Sequence, residues 1–525
     1  RGAMASHVEV VDDSATWEDV SMNDSDSEMS HAGGIDGRTE VAVVDSIATS
    51  KCAEKEPTCE FVSLLCAVSA LEGADQMLLP SVFYALQYDL RLTLADVALL
   101  NLWQSLLLSM AAPAWGYLAD QGLMTRRAIL VFGCTGWGVV TGLLAIVTSW
   151  YPMVALRALN GAFLACLRPT CSGLVADSTI ESKRGKINGK IQTSVDLGVM
   201  AVSLVATPLS TRLVLGLQGW RTCFLGISAA SLALAAVAFW RLPPLRLGEG
   251  RSSERSAWSR GEGAVCAVEQ EARRLRKILM TPTFLLLIAQ GIFGIVPWTA
   301  LNYMTLYFQT AGLSDLQAGV LTSLSRAAQA AGHFLGGIIG DACARRSRHH
   351  GRPLVGQFSA LAAVPFICLL FWSIPPGARA FGWYLAILLG LGLTATWQLA
   401  GTNWPLLAEI VPAESRSSVV AWDTAIAGSS GAIFGGPLVA LLAQSCFGYD
   451  SRAGHHAASV ESARALGKAF MWVSVVPFLL CFALYSAMHW SYPADLRRIA
   501  REQREVEDRH KALDPDKAPD TLGAA

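Results

Sequence analysis

Between Phe61 and Tyr492 the chain passes through about twelve apolar stretches separated by short polar ones. Most are long enough to cross a hydrocarbon core of ~30 Å at ~1.5 Å per helical residue. Runs such as LLLIAQGIFGIVPW and GWYLAILLGLGLTATW show no alternation of polar and apolar positions. Helices, not the strands of a closed barrel, must therefore satisfy their backbone groups in lipid. The pattern predicts an all-α polytopic membrane protein with spans near 61–86, 94–119, 127–148, 151–176, 189–211, 220–241, 283–309, 316–341, 353–373, 380–408, 418–443 and 465–490.

Composition supports the pattern, because a chain with 52% hydrophobic and only 16% charged residues cannot bury its apolar surface as a soluble domain. Charge then divides it. Residues 1–60 carry fourteen acidic and four basic side chains among many Ser and Gly, which predicts a disordered acidic cytoplasmic tail. Residues 61–241 form a first group of six spans and 283–492 a second. Between them, 242–282 reads as a cytoplasmic linker, since Arg241–Thr281 holds nine basic and five acidic residues. Its EQEARRLRKIL stretch has helical spacing, as a solvated linker helix or one lying on the membrane surface. Residues 493–525 form a C-terminal tail. No apolar stretch with a small-residue cleavage site precedes Phe61, so the first span is expected to direct insertion itself.

Arginine and lysine in the short loops set the orientation. Arg126 and Arg127 follow span two, Lys183, Arg184, Lys186 and Lys190 follow span four, and Arg345, Arg346, Arg348 and Arg352 follow span eight. The intervening loops 149–151 and 310–315 have none. Both termini are therefore expected in the cytoplasm, whichever membrane holds the protein.

Two echoes relate the halves. Span two ends in Gly116-Tyr-Leu-Ala-Asp120 and span eight in Gly337-Ile-Ile-Gly-Asp341, each followed by an arginine pair. At the ends of spans four and ten, Asp177 stands seven residues before Arg184 and Glu409 seven before Arg416. The spans thus form two parallel six-helix repeats, an architecture that places a substrate site between the halves near the bilayer midplane.

Ionisable groups inside spans are the strongest functional signal, because each costs several kcal/mol unless paired or wetted. Glu72 and Asp75 lie three residues apart on one face of span one, with Gln76 beside them. Arg157 and Arg168 share a face of span four. Asp75 lies ~21 Å above the cytoplasmic start of its span and Arg157 ~8 Å below the opposite surface, so the two fall at one level and within reach of one another. A structural salt bridge and a transport role fit this pair equally. Glu72 falls one turn lower, without a basic partner at its own depth in the first half, which suits a carboxylate that takes and releases protons. In the second half Arg326 lies near the middle of span eight as a partner or substrate anchor. His333, two turns deeper on a Gly-rich face, reads as structural. Gln290, Trp298, Asn302 and Tyr303 surround Pro297 in span seven, where a kink exposes polar groups. Trp298 and Asn302 share a face and are candidate substrate contacts, although a tryptophan near the surface also serves as an interface anchor. Asp196 and Asp423 fall in the first turns of spans five and eleven and read as helix-capping, gate-side groups.

Other chemistry finds no support. The twelve cysteines are scattered at no metal-ligand spacing, and GxxxxGK[ST] is absent, which argues against coupling to ATP hydrolysis. No cofactor, metal or nucleic-acid partner is expected, and no enzyme activity; a monomer in the bilayer, with a small-molecule substrate and protons, is.

The Gly-x-Leu-x-Asp sequence ending at Asp120 and Arg157-Ala-Leu-Asn-Gly161 resemble signatures of the major facilitator superfamily. LEGADQMLLP, RALNGAFLACLRP, GLVADSTIESKRG, GWRTCF, GHFLGGIIGD and AEIVPAESRSSVVAWD are similar to a plant and algal branch related to the Spinster transporters, a likeness covering about Glu72 to Pro493. One departure is Gln121, where the superfamily has a basic residue; here the pair is delayed to Arg126 and Arg127. The resemblance implies a secondary active transporter of twelve helices working by alternating access, on lysolipid-like or other small organic or amphiphilic solutes. It also implies a cytoplasmic gate built from Asp120, Arg127, Asp177, Arg184, Asp341, Arg345, Glu409 and Arg416, though topology-setting charge alone equally accounts for the arginines. Glu72 and Asp75 favour proton coupling. The alternative is a nontransporting receptor or nutrient sensor on the same fold, signalling through its tails.

Overall fold

A computed structural model of the chain describes residues 59–120, 124–178, 181–214, 216–242, 280–411, 416–449 and 460–513. Residues 1–58 of the acidic tail, nearly all of the linker with its EQEARRLRKIL stretch, and residues 514–525 lie outside the described residues. Twelve spans appear among the described residues. The first half has Cys59–Leu90, Leu94–Asp120, Arg126–Leu144, a broken span four (Trp150–Leu164 then Leu167–Ser178), Glu181–Ser210 and Gly219–Arg241. The second half has Pro282–Leu301 continued by Met304–Thr310, Asp315–Arg346, Gly351–Cys368, a tenth span in three pieces from Phe381 to Ile410, an eleventh from Arg416, and Val460–Leu513. Eleven of these are long and apolar enough to cross a membrane. Span eight is the twelfth, its 32 residues diluted by Arg326, His333 and many small side chains.

Local sequence sets several ends. Thr125 caps span three by accepting from the Ala128 N–H at 3.2 Å, and Ser314 with Gln317 closes a reciprocal capping box at the start of span eight. Pro282 opens span seven, where its missing N–H costs nothing. Span twelve does not stop at the expected edge of the C-terminal tail: the helix continues through Pro493 to Leu513. Apolar patterning marks where lipid ends, whereas a helix persists into water as long as its polar residues tolerate it.

Helices of the first half approach backbone to backbone. A Cβ on Gly73 would stand 2.2 Å from the Val195 carbonyl oxygen, and one on Gly161 would stand 2.1 Å from that of Gln104. Only glycine permits either contact, the small-residue packing that substitutes in lipid for a hydrophobic driving force. These two approaches seat the helix of Glu72 and Asp75 on span five, and that of Arg157 on span two.

The apolar core is divided in a way that fixes the state of the molecule. One cluster joins both halves, with Leu79, Phe83, Leu86 and Trp220 from the first packed with Tyr303, Leu306, Phe308 and Leu321 from the second. All belong to the end remote from the start of span one. At the opposite end the halves keep separate cores, Leu64, Leu130, Leu167 and Ala238 in one and Phe284, Leu406, Ile410 and Tyr485 in the other. The halves are closed together at the end bearing the loops between spans one and two and between seven and eight. Polar contacts reinforce that closure: Thr211 Oγ1 donates to Asp315 Oδ2 at 2.6 Å, and Ser323 Oγ donates to the Met200 carbonyl at 2.9 Å. Phe83 stacks on Tyr303 with centroids 4.7 Å apart.

Candidate functional site

In the first half four helices converge on Asp75, which is fully buried. Gln104 of span two donates through Nε2 to Asp75 Oδ2 at 3.2 Å and to Asn160 Oδ1 of span four at 2.7 Å. Thr141 of span three donates to Asp75 Oδ1 at 3.4 Å and accepts from Asn160 Nδ2 at 3.0 Å. Arg157, equally buried, donates through Nη2 to Gln104 Oε1. Asp75 and Arg157 therefore meet through one amide, not in direct contact, and their charges act on each other across it. The direct pair expected from depth fails because Gln104 lies between them. Arg157 Nε and Nη1 have no hydrogen-bond partner among the described residues, although an unsatisfied buried donor costs about 1–3 kcal/mol or more when charged.

Glu72 is not partnerless. Its Oε1 accepts from Arg168 Nε at 3.3 Å and from Gln76 Nε2 at 3.0 Å. The expectation that no basic group stands at its depth treated span four as one straight rod. Span four breaks at Ala165 and Cys166, and the long side chain of Arg168 reaches Glu72 from the second piece. The pair is asymmetric: the Glu72 side chain is 4% exposed and that of Arg168 60%. A buried carboxylate is thus neutralised by a largely exposed cation.

The second half contributes a cavity of about 280 Å³ between spans seven, eight, ten and eleven. Trp298, Arg326 and His333 line it, so His333, read as a packing residue, faces open space. Arg326 donates through Nη2 to Asn302 Oδ1 and through Nη1 to Gln329 Oε1 at 3.4 Å. Asn302 therefore holds Arg326 from outside the cavity lining. Arg326 and Asp196 of span five act on each other electrostatically across the halves, which takes Asp196 beyond a capping role. Gln290 accepts from Asn403 Nδ2 at 2.7 Å, and Asn403 Oδ1 accepts from Tyr485 at 2.7 Å. Tyr303 is buried in the closure against Phe83 and is no cavity contact. Asp423 lines the cavity as well; it stands two turns inside the helix starting at Arg416, too deep to cap it.

Two of the residues implied as a gate, Asp341 and Glu409, are joined by Arg352 at 3.2 Å and 3.1 Å, with Tyr492 donating to Glu409. This cluster ties the ends of spans eight, nine, ten and twelve. The arginine involved is Arg352, while Arg345 is exposed. Arg127 lies over the Phe239 ring, 4.9 Å from its centroid. The side chains of Asp120, Asp177, Arg184 and Arg416 lie outside the described residues. Sequence reasoning overlooked Gln104, Thr141 and Asn160 as ligands of the buried charges and weighed Arg352 only as a topology signal. The signal for Gln104 was an amide within the apolar run LLNLWQSLLL.

A family model described as Major Facilitator Superfamily matches residues 65–437. The quinolone resistance transporter of Acinetobacter baumannii is 25% identical over 252 residues, covering 45% of this chain and 54% of that protein. The chain thus spans about half the length of this relative. Among solved structures, a bacterial homologue of the human lysosomal transporter Spinster, inward-facing and unoccupied, superposes with a TM-score of 0.69 at 16% identity, covering 83% of this chain and 97% of that one. A D-xylose–proton symporter gives 0.60 at 14% identity, covering 83% and 98%. At such identities the likeness shows the fold.

Proposed function

The chain belongs to the major facilitator superfamily, which makes it a secondary transporter and not an enzyme, and from that premise we propose that it moves an amphiphilic organic solute by alternating access coupled to protons. Lysolipid-like molecules are one class such a cavity accommodates, in keeping with the plant and algal Spinster-like motifs. One observation carries the reading: the first half buries two carboxylates, each balanced by an arginine, and the second half holds a largely apolar cavity. The closed end is the extracytoplasmic one if both termini are cytoplasmic, so this is the inward-open member of the cycle. A single chain supplies both walls, and a monomer suffices.

Glu72 is the proton site in this reading. Its partner is largely exposed, so a proton and the Arg168 guanidinium compete for one carboxylate that burial penalises when unpaired. Rocking of the halves changes what surrounds Arg168 and hence which competitor wins. Glu72→Gln imitates the protonated form. In proteoliposomes with an imposed pH step, this variant should lose acceleration of flux by the gradient while keeping substrate-for-substrate exchange. Unchanged pH-driven flux removes Glu72 from coupling, and absence of any flux from the wild-type chain turns the assignment towards a nontransporting receptor.

A further inference from the structure

The cavity of the second half contains one charge that its surroundings leave uncompensated. Arg326 is met by Asn302, Gln329 and the charge of Asp196. Asp423 lines the same cavity, yet among the described residues no hydrogen bond or ion pair reaches it. Space beside it is kept open by Gly291, where a Cβ would lie 3.5 Å from Asp423 Oδ1 and 3.7 Å from the Ala427 methyl. The walls on either side are aromatic and aliphatic, with Trp298, Leu287 and Leu407 among them.

We propose that this cavity binds organic cations with a bulky apolar body, and that Asp423 is their counter-ion. An anion finds two of the five donors of Arg326 already engaged and meets the repulsion of Asp423. A neutral polyol leaves the carboxylate unpaired in a low-dielectric site, at a cost that a cation removes. The indole of Trp298 adds attraction for positive charge, and the aliphatic wall adds area for the apolar body. The inference deepens the transport reading by naming the substrate class of the same cavity, but the binding step is testable without flux.

Equilibrium dialysis of radiolabelled tetraphenylphosphonium against the full chain in nanodiscs of zwitterionic lipid, with empty nanodiscs subtracted, measures that step. Saturable binding is expected, weakened about tenfold or more by Asp423→Asn and retained within about threefold by Asp423→Glu. Gly291→Leu, which fills the space before the carboxylate, should reduce binding without touching any charge. Melting temperatures of the variants show that each remains folded. Equal affinity in wild type and a folded Asp423→Asn variant overturns the proposal, as does absence of saturable binding to the wild type. A chain that binds the cation through Asp423 but moves no solute across proteoliposomes supports the site while refuting the transport reading.

Discussion

Gln104 holds the first half's charges in a single unit, because its carbonyl accepts from Arg157 while its amide serves Asp75 and Asn160. Removing one charge from such a unit leaves the other buried without compensation, which typically costs about 3–5 kcal/mol, whereas removing both is far cheaper. Asp75→Asn and Arg157→Gln are therefore expected to lower the detergent melting temperature more, each alone, than the double variant does. Gln104→Leu should reduce the coupling between them, since the link is the amide. Strictly additive losses in the cycle would mean that the two charges do not communicate. The charged members were legible in the sequence because ionisable groups in apolar spans are expensive and therefore conspicuous. Gln104, Thr141 and Asn160 were not, since neutral polar residues are affordable in many spans and only the fold reveals which of them meet a charge. Glu72 shows the complementary limit: its residue type announced a site, but its partner depended on a helix break that apolar patterning does not register.

Spans five and eight carry the closure of the halves, and they do so through backbone. A Cβ on Gly319 would stand 2.6 Å from the Ser203 carbonyl oxygen, so the helices touch where span eight has no side chain. Thr211 and Asp315 clamp the same pair one turn further out, with Gln309 donating to Asp315 at 2.7 Å. Gly319→Leu should force the helices apart and shift the population towards a form open at this end. Spin labels at exposed Tyr151 and Leu316, one on each half, report the separation; the variant should populate longer distances, and an unaltered distribution would show that this contact does not hold the closure. Element boundaries were readable where lipid dictates them, as in spans six and nine. They were unreadable where the helix outlives its apolar stretch, as in Val460–Leu513, or where a span is broken internally, as in spans four and ten.

At the scale of the whole molecule, the repeat seen in Asp120 and Asp341 implies that the halves play equivalent mechanical roles, yet their chemistry differs. The first half holds a buried network of linked charges and the second an open cavity. Internal symmetry was visible in sequence because loop motifs repeat; the division of labour was not, since it depends on which side chains find partners. Orientation in the membrane links this asymmetry to direction of transport. Lysine and arginine crowd the loops after spans two, four and eight and are missing from 149–151 and 310–315, a bias that predicts a cytoplasmic side for the charged loops. The open end of the structure is the one bearing those charged loops. Single cysteines placed at Ser149 and Gly312 of a cysteine-depleted chain should therefore react with an impermeant maleimide on intact cells that display the protein at their surface. One at Ser347 should react only after permeabilisation. The reverse pattern would invert the membrane orientation, make the open end extracytoplasmic, and place the Arg352 cluster, which ties Asp341 to Glu409, on the outer face.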